Sequence, residues 1–226
     1  VYANQLLNDY LDTSGDYVAL SVLDFYLPYR SVVRAKVARL GADGSGSAED
    51  HDARRRARRH LELVGRYLAP RPPPALYLTH GVSGSGKSWI AARIAGARGF
   101  IHLRSDIVRK RLAGLAPDAQ SGSAPGAGLY GEAQTAATYE RLAHLAALVL
   151  AQGYSVIVDA SCLRAAQRAP FEAIARAQGV RYTLIDCTAP REVLEARIET
   201  RRAVGRDPSE ATVAVLARQL DGREPL

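Results

Sequence analysis

The chain has 226 residues, 47% hydrophobic and 23% charged, the composition of a globular protein of one domain, or one domain with an attached piece, and not of a disordered chain. Its 30 lysines and arginines against 23 acidic residues leave a formal net charge of +7, which suits a polyanionic ligand such as a nucleotide, a phosphorylated substrate or a nucleic acid. No run of about 18 apolar residues exists, so no membrane span is expected, and Cys162 and Cys187, without CxxC spacing or a histidine cluster, imply neither a disulfide framework nor a zinc site and fit a reducing cytoplasm. The first ten residues lack a basic start followed by an apolar core, so no signal peptide is expected. The chain begins at Val1 and contains no methionine, so it reads as part of a longer one.

In chain order, residues 1–40 read as helix, with Val18, Leu20, Leu23, Leu27, Val32, Val33, Val37 and Leu40 at helical spacing and Pro28 expected to bend or restart it. Residues 41–47, rich in glycine and serine, form a linker. A helix over about 48–68 follows, capped by Ser47, with Ala53, Ala57, Leu61, Val64 and Leu68 on one face. Its arginine run, Arg54 to Arg59, is the solvated opposite side; a nucleic-acid patch is the less favoured reading. The prolines after Arg71 mark a boundary, which divides the chain into residues 1–40, 41–70 and 71–226. Beyond it the pattern alternates. Strands are expected at Ala75–His80, Phe100–Leu103, Ser155–Asp159 and Arg181–Asp186. Helices are expected at 87–97, 106–112, 131–152, 164–178 and near 190–202 and 208–220, with a loop over 114–128. Such alternation indicates an α/β fold: three layers, a mostly parallel sheet covered on both faces, preceded here by helices.

Residues 81–88, Gly-Val-Ser-Gly-Ser-Gly-Lys-Ser, match GxxxxGK[ST] in full and lie between an expected strand and an expected helix, the context that a P-loop NTPase requires. Gly81, Gly84 and Gly86 let the backbone curl so that amides, with Ser83 and Ser85, form an anion nest; the following helix adds the positive end of its dipole. Lys87 is expected to reach the β- and γ-phosphates of ATP and the Ser88 hydroxyl to coordinate Mg²⁺. Asp159 ends the apolar strand Val156-Ile157-Val158 and is expected to support the same ion; Asp186, after the fourth strand, is a weaker competitor.

In an open parallel sheet, ligands bind beyond the carboxyl ends of the strands. Asp106 follows the second strand and is placed to take the proton of an acceptor hydroxyl, with Arg109 one turn on to hold a substrate anion. Arg197, Arg201, Arg202 and Arg206 precede Asp207, Pro208 and Glu210, which read as the cap and first turn of the last helix. One of these arginines, for which Arg201 is chosen, is expected to stabilise the transferring phosphoryl group.

The full P-loop followed by Arg104-Ser105-Asp106-x-x-Arg109 resembles the polynucleotide-kinase and zeta-toxin group of P-loop kinases. That resemblance implies that Asp106 activates the acceptor hydroxyl and that Arg109 holds the substrate, and it makes the segment 197–206 similar to the lid of a small kinase. The stretch from Asp16 to Ala38, with Asp24, Phe25, Tyr26, Tyr29, Arg30, Arg34 and Lys36, resembles the end of an aminoglycoside-phosphotransferase-like domain. In a bacterial fusion family that domain precedes such a kinase, which would make residues 1–40 a helical remnant of it. The phosphotransferase signature HGDxxxxN is absent from this chain. Trp89 departs from the small or polar residue usual after the P-loop serine. The reading is ATP- and Mg²⁺-dependent phosphoryl transfer to a hydroxyl acceptor, either a small molecule or a nucleotide-like one. The alternatives are an ATPase without an acceptor and an ATP-binding regulatory module. Ala160 and Ser161 stand where a motor would carry a glutamate after Asp159.

Overall fold

A computed structural model describes residues 2–117, 119, 128–204 and 211–226, without the side chains of Arg202 and Val204. Arg206, Asp207, Pro208 and Glu210 lie outside the described residues. The chain divides into two compact units, one of Val1–Tyr17 with Pro73–Leu226 and the other of Val18–Pro72. The division after Tyr17 differs from the boundary expected at residue 40.

The reason lies at Gly15. Helix α1 (Tyr2–Ser14) ends where Gly15 takes a φ of +72° and its N–H closes on the Leu11 carbonyl, a left-handed stop that glycine adopts without a Cβ clash. Pro28, by contrast, does not break its helix. Helix α2 (Leu20–Leu40) runs through it, at the loss of one N–H donor.

Within the second unit, α2 and α3 (Ala48–Leu68) form a helical hairpin. Ser47 caps α3 by accepting from the Asp50 amide at 3.1 Å, as its position in the sequence suggests. Of the apolar face expected on α3, Ala53 and Ala57 are buried while Leu61 and Leu68 are exposed.

The first unit holds a four-stranded parallel sheet of order β2-β3-β1-β4, built from β1 (Ala75–His80), β2 (Ile101–Arg104), β3 (Val156–Asp159) and β4 (Arg181–Asp186). Helices α4 (Lys87–Arg98), α5 (Ser105–Leu112), α6 (Glu132–Ala151), α7 (Ala165–Ala177), α8 (Arg191–Val204) and α9 (Val213–Asp221) complete it. Leu76, Leu78, Leu103, Val156, Ile157 and Val158 have no exposed surface. Their continuous apolar runs are what a strand covered on both faces requires. The register sets Arg104 beside Asp159 and His80 beside Asp186, so the carboxyl ends of all four strands finish at one edge.

Two local features position that edge. Asn8 of α1 treats β2 as a neighbouring strand would: its Oδ1 accepts from the His102 amide at 2.7 Å and its Nδ2 donates to the Phe100 carbonyl at 3.1 Å. One N–H and one carbonyl of the outer edge are thereby paired. At the other end of the unit, α9 starts at Val213, with Thr212 accepting from the Val215 amide, so the cap expected at Asp207 falls instead on Thr212.

Candidate active site

The phosphate loop joins β1 to α4 at the carboxyl edge of the sheet. Its glycines are imposed by contact as well as by dihedral angle. Gly81 has φ +136° and an added Cβ would lie 2.3 Å from the Cys187 carbonyl; Gly84 has φ +81° and its Cβ would lie 2.7 Å from the Leu194 carbonyl. Both contacts are with backbone, which cannot swing aside. The loop is also held from outside. The Gly81 amide donates to Ser161 O at 3.0 Å, Arg197 donates to Gly84 O at 3.1 Å, and the Ser83 amide donates to Gln219 Oε1 at 2.7 Å. The Ser85 hydroxyl is buried without a hydrogen-bond partner among the described residues.

Lys87 folds back over the loop and donates to Val82 O at 2.7 Å. Desolvation at the base of the cleft pushes its pKa down, opposed by the carboxylates of Asp159 and Asp106. Asp159 is 5% exposed and accepts from Ser88 and from His102, whose Nε2 lies 3.3 Å from Oδ2. Burial alone would raise its pKa, but His102, Ser88 and Lys87 together hold it below the usual carboxylate value. Asp186 is elsewhere engaged, on His80 Nδ1 at 2.7 Å and on Arg223, and does not line the cleft.

The cleft has a volume of about 310 Å³. Arg104, Asp106 and Arg109 line the same cleft, as do Arg197 and Arg201 of α8. Asp106 lies in the first turn of α5, where the helix dipole favours a carboxylate; neither it nor Ser105 caps that helix, the cap position being Arg104. Arg109 is 8% exposed and fixed by Leu129 O at 3.0 Å, Thr135 Oγ1 at 3.1 Å and the face of Tyr130. Arg197 and Arg201, both on α8, differ. Arg197 is bonded to the loop carbonyl, while the Nε and Nη2 of Arg201 are buried and have no partner among the described residues. A buried guanidinium without an acceptor is expensive unless an anion completes it.

The structure thus brings Lys87, Ser88, Asp106, Arg109, Asp159 and Arg201 to one cleft. Sequence reading missed His102, Gln219, Tyr130 and Tyr139. His102 carried a signal, a polar residue inside a buried strand two positions from Arg104. Gln219 carried none, because only the return of α9 brings it to the loop. Both cysteines are buried and unbridged, and burial pushes the Cys162 thiol up to about 12, so it is not a nucleophile at neutral pH. Among the described residues, no group of three His, Cys, Asp or Glu is arranged to hold a metal ion. A hydroxyl and one carboxylate suit instead a hard cation that takes its other ligands from phosphates and water.

A family model described as an AAA domain matches residues 76–226. Over 218 residues the chain is 32% identical to Uncharacterized protein Rv2004c of Mycobacterium tuberculosis and, to the same degree, to Uncharacterized protein Mb2027c of Mycobacterium bovis. These alignments cover 95% of this chain and 42% of each relative, so the chain spans less than half the length of the curated relatives it matches. Among solved structures, a putative kinase from Chloroflexus aurantiacus superposes with a TM-score of 0.54 at 23% identity, over 69% of this chain and 83% of that one. A sugar kinase from Janibacter sp. superposes with a TM-score of 0.50 at 22% identity, over 68% and 80%. At these identities the likeness is one of fold.

Proposed function

The chain belongs to the AAA domain family, and from that premise we propose that it is a P-loop kinase domain that transfers the γ-phosphoryl group of ATP to a hydroxyl acceptor with Mg²⁺. The observation that carries this reading is the cleft itself, which gathers a phosphate loop, the Asp106 carboxylate and a guanidinium whose buried donors have no partner among the described residues.

In this reading the loop amides and the Lys87 ammonium hold the β- and γ-phosphates, and Arg201 receives the charge that grows on the transferring group. Asp106 takes the proton of the acceptor hydroxyl as its oxygen bonds to the γ-phosphorus, and the bond to the β–γ bridging oxygen breaks, leaving ADP with that electron pair. Arg109, clamped by Leu129 and Thr135, helps hold the acceptor. Ser88 and Asp159 would hold the Mg²⁺, which when bound draws negative charge from the phosphates. His102 keeps the Asp159 carboxylate turned toward Ser88.

We place the domain in the polynucleotide-kinase and zeta-toxin group on the strength of Asp106 and Arg109. The longer relatives have room for the aminoglycoside-phosphotransferase-like domain whose end residues 1–40 resemble. A cytoplasmic setting suits both ATP and the unbridged cysteines.

The test is an ATP-consumption screen across hydroxyl-bearing metabolites and oligonucleotides with 5′-hydroxyl ends, with Lys87→Ala and Asp106→Asn as controls. An acceptor-dependent signal lost in both variants supports the reading. A signal lost with Lys87→Ala but untouched by Asp106→Asn removes Asp106 from the chemistry.

A further inference from the structure

A second cavity, about 710 Å³ in volume, lies between α1 and α4 over the end of β2. It shares Ser88, Trp89 and Arg104 with the phosphate cleft, so the two spaces meet at the residue expected to hold the metal ion and two positions from Asp106. Its volume is that of a small-molecule site, and it is larger than the cleft.

Three features describe its ligand. Trp89, 66% exposed, presents a broad aromatic surface at the junction and is the chain's single tryptophan. Asp9 and Asp12 of α1 line the wall, and Asp12 Oδ1 is buried with no hydrogen-bond partner among the described residues. Arg93, Arg98 and Arg104 also line the space, and Arg93 is already stacked on Trp89. Carboxylates oppose an anionic occupant here and arginines oppose a cationic one. An uncharged molecule with several hydroxyls meets neither penalty; its O–H groups donate to carboxylate oxygens and its C–H face covers an aromatic ring. We infer that this cavity receives the hydroxyl acceptor of the phosphoryl transfer, and that the acceptor is a neutral polyhydroxylated small molecule seated against Trp89 with its hydroxyls on Asp12 and Asp9. The inference rests on the kinase reading of the adjoining cleft. It also gives a reason for keeping Asp12, whose burial lifts its pKa to about 6 and so makes the ionised form costly without a ligand.

Trp89 provides the measurement. The whole chain, saturated with a non-hydrolysable ATP analogue and Mg²⁺, is titrated with glucose, myo-inositol, glucosamine and a 5′-hydroxyl oligonucleotide while tryptophan emission is followed. The expected result is a saturable change with a neutral polyol, weakened about tenfold or more by Asp12→Ala, as loss of one charge-assisted hydrogen bond requires, with affinity for the nucleotide unchanged. Asp9→Ala, on an exposed turn of the same helix, is the second variant should Asp12→Ala not fold, and calorimetry with Trp89→Leu tests the aromatic wall without its fluorescence. Three results overturn the inference: no saturable change with either neutral polyol, polyol binding indifferent to both aspartates, or a response confined to the oligonucleotide. A fluorescent ATP analogue run in parallel separates the two readings. Lys87-dependent binding of it without polyol binding leaves the kinase reading standing and removes the acceptor cavity, and polyol binding without nucleotide binding removes the kinase reading and the acceptor role with it, leaving a polyol site alone.

Discussion

Along α3 the charged side chains answer one another within a turn: Arg54 with Asp50, Arg55 and Arg56 with Asp52, Arg58 with Glu62. Around the cleft the charges are held differently. Lys87 is desolvated, and among the described residues Arg201 and Arg109 keep buried donors without acceptors and Asp12 keeps an acceptor without a donor. The hairpin has the electrostatics of a surface, in which exposed pairs screen each other and contribute little. The sheet-bearing unit has those of a site, in which polar groups are kept short of partners because a ligand supplies them. The same arginine-rich composition therefore means two things in one chain, and burial, not residue type, tells them apart.

This contrast can be broken or sharpened by substitution. The largest effect is expected for Asp106→Asn, which should lower kcat with an accepted hydroxyl by about 10²–10⁴-fold while leaving nucleotide affinity near that of the parent, as read by single-turnover transfer beside equilibrium binding. Lys87→Met should weaken ATP binding by on the order of 10²-fold or more and yet raise the melting temperature of the nucleotide-free protein, since burial depresses the lysine pKa and its charged form therefore opposes folding at neutral pH. A fall in apo stability would place Lys87 among satisfied surface charges.

Arg201→Ala should cost about 10²-fold in kcat. Arg197→Ala, which frees a loop carbonyl, should act mainly on nucleotide affinity; equal kinetic profiles for the two would erase the distinction drawn between them. Asp12→Asn should stabilise. Its folded pKa is raised from 3.8 to about 6, so between those values the unfolded chain has released a proton that the folded protein keeps. Stability is therefore lost as pH climbs through that window, and the full penalty, on the order of 3 kcal/mol, applies above it. The gain from Asp12→Asn should be clear in melting curves at pH 7.5 and small at pH 4.5. The smallest effect is expected on the hairpin, where Glu62→Ala should change stability by no more than about 0.5 kcal/mol and leave nucleotide binding untouched.

Much of this arrangement was legible in the sequence because it is local. Each strand of the sheet is a short apolar run bounded by breakers, and all four were located within one residue of their observed limits. The phosphate loop is eight consecutive residues whose glycines answer to backbone geometry. Pro28 and Asp207 show where local rules fall short. A proline tolerated inside a helix and a glycine that stops one look alike as punctuation, and a plausible cap at Asp207 competes with a better one five residues on, at Thr212.

Sequence alone determined the α/β class, the loop that meets phosphate and the carboxyl edge where Asp106 and Asp159 emerge, since these follow from period, glycine placement and the handedness of parallel crossovers. Tertiary structure alone decided that α1 belongs with the sheet, that Asn8 bonds the outer strand, that His102 braces Asp159, and that Arg201 keeps buried donors without a partner among the described residues while Arg197 stays exposed on a loop carbonyl. These are contacts between positions about 60 to more than 110 residues apart, or differences in burial between like residues four apart, and no pattern in a linear string encodes which distant groups will exclude water from one another.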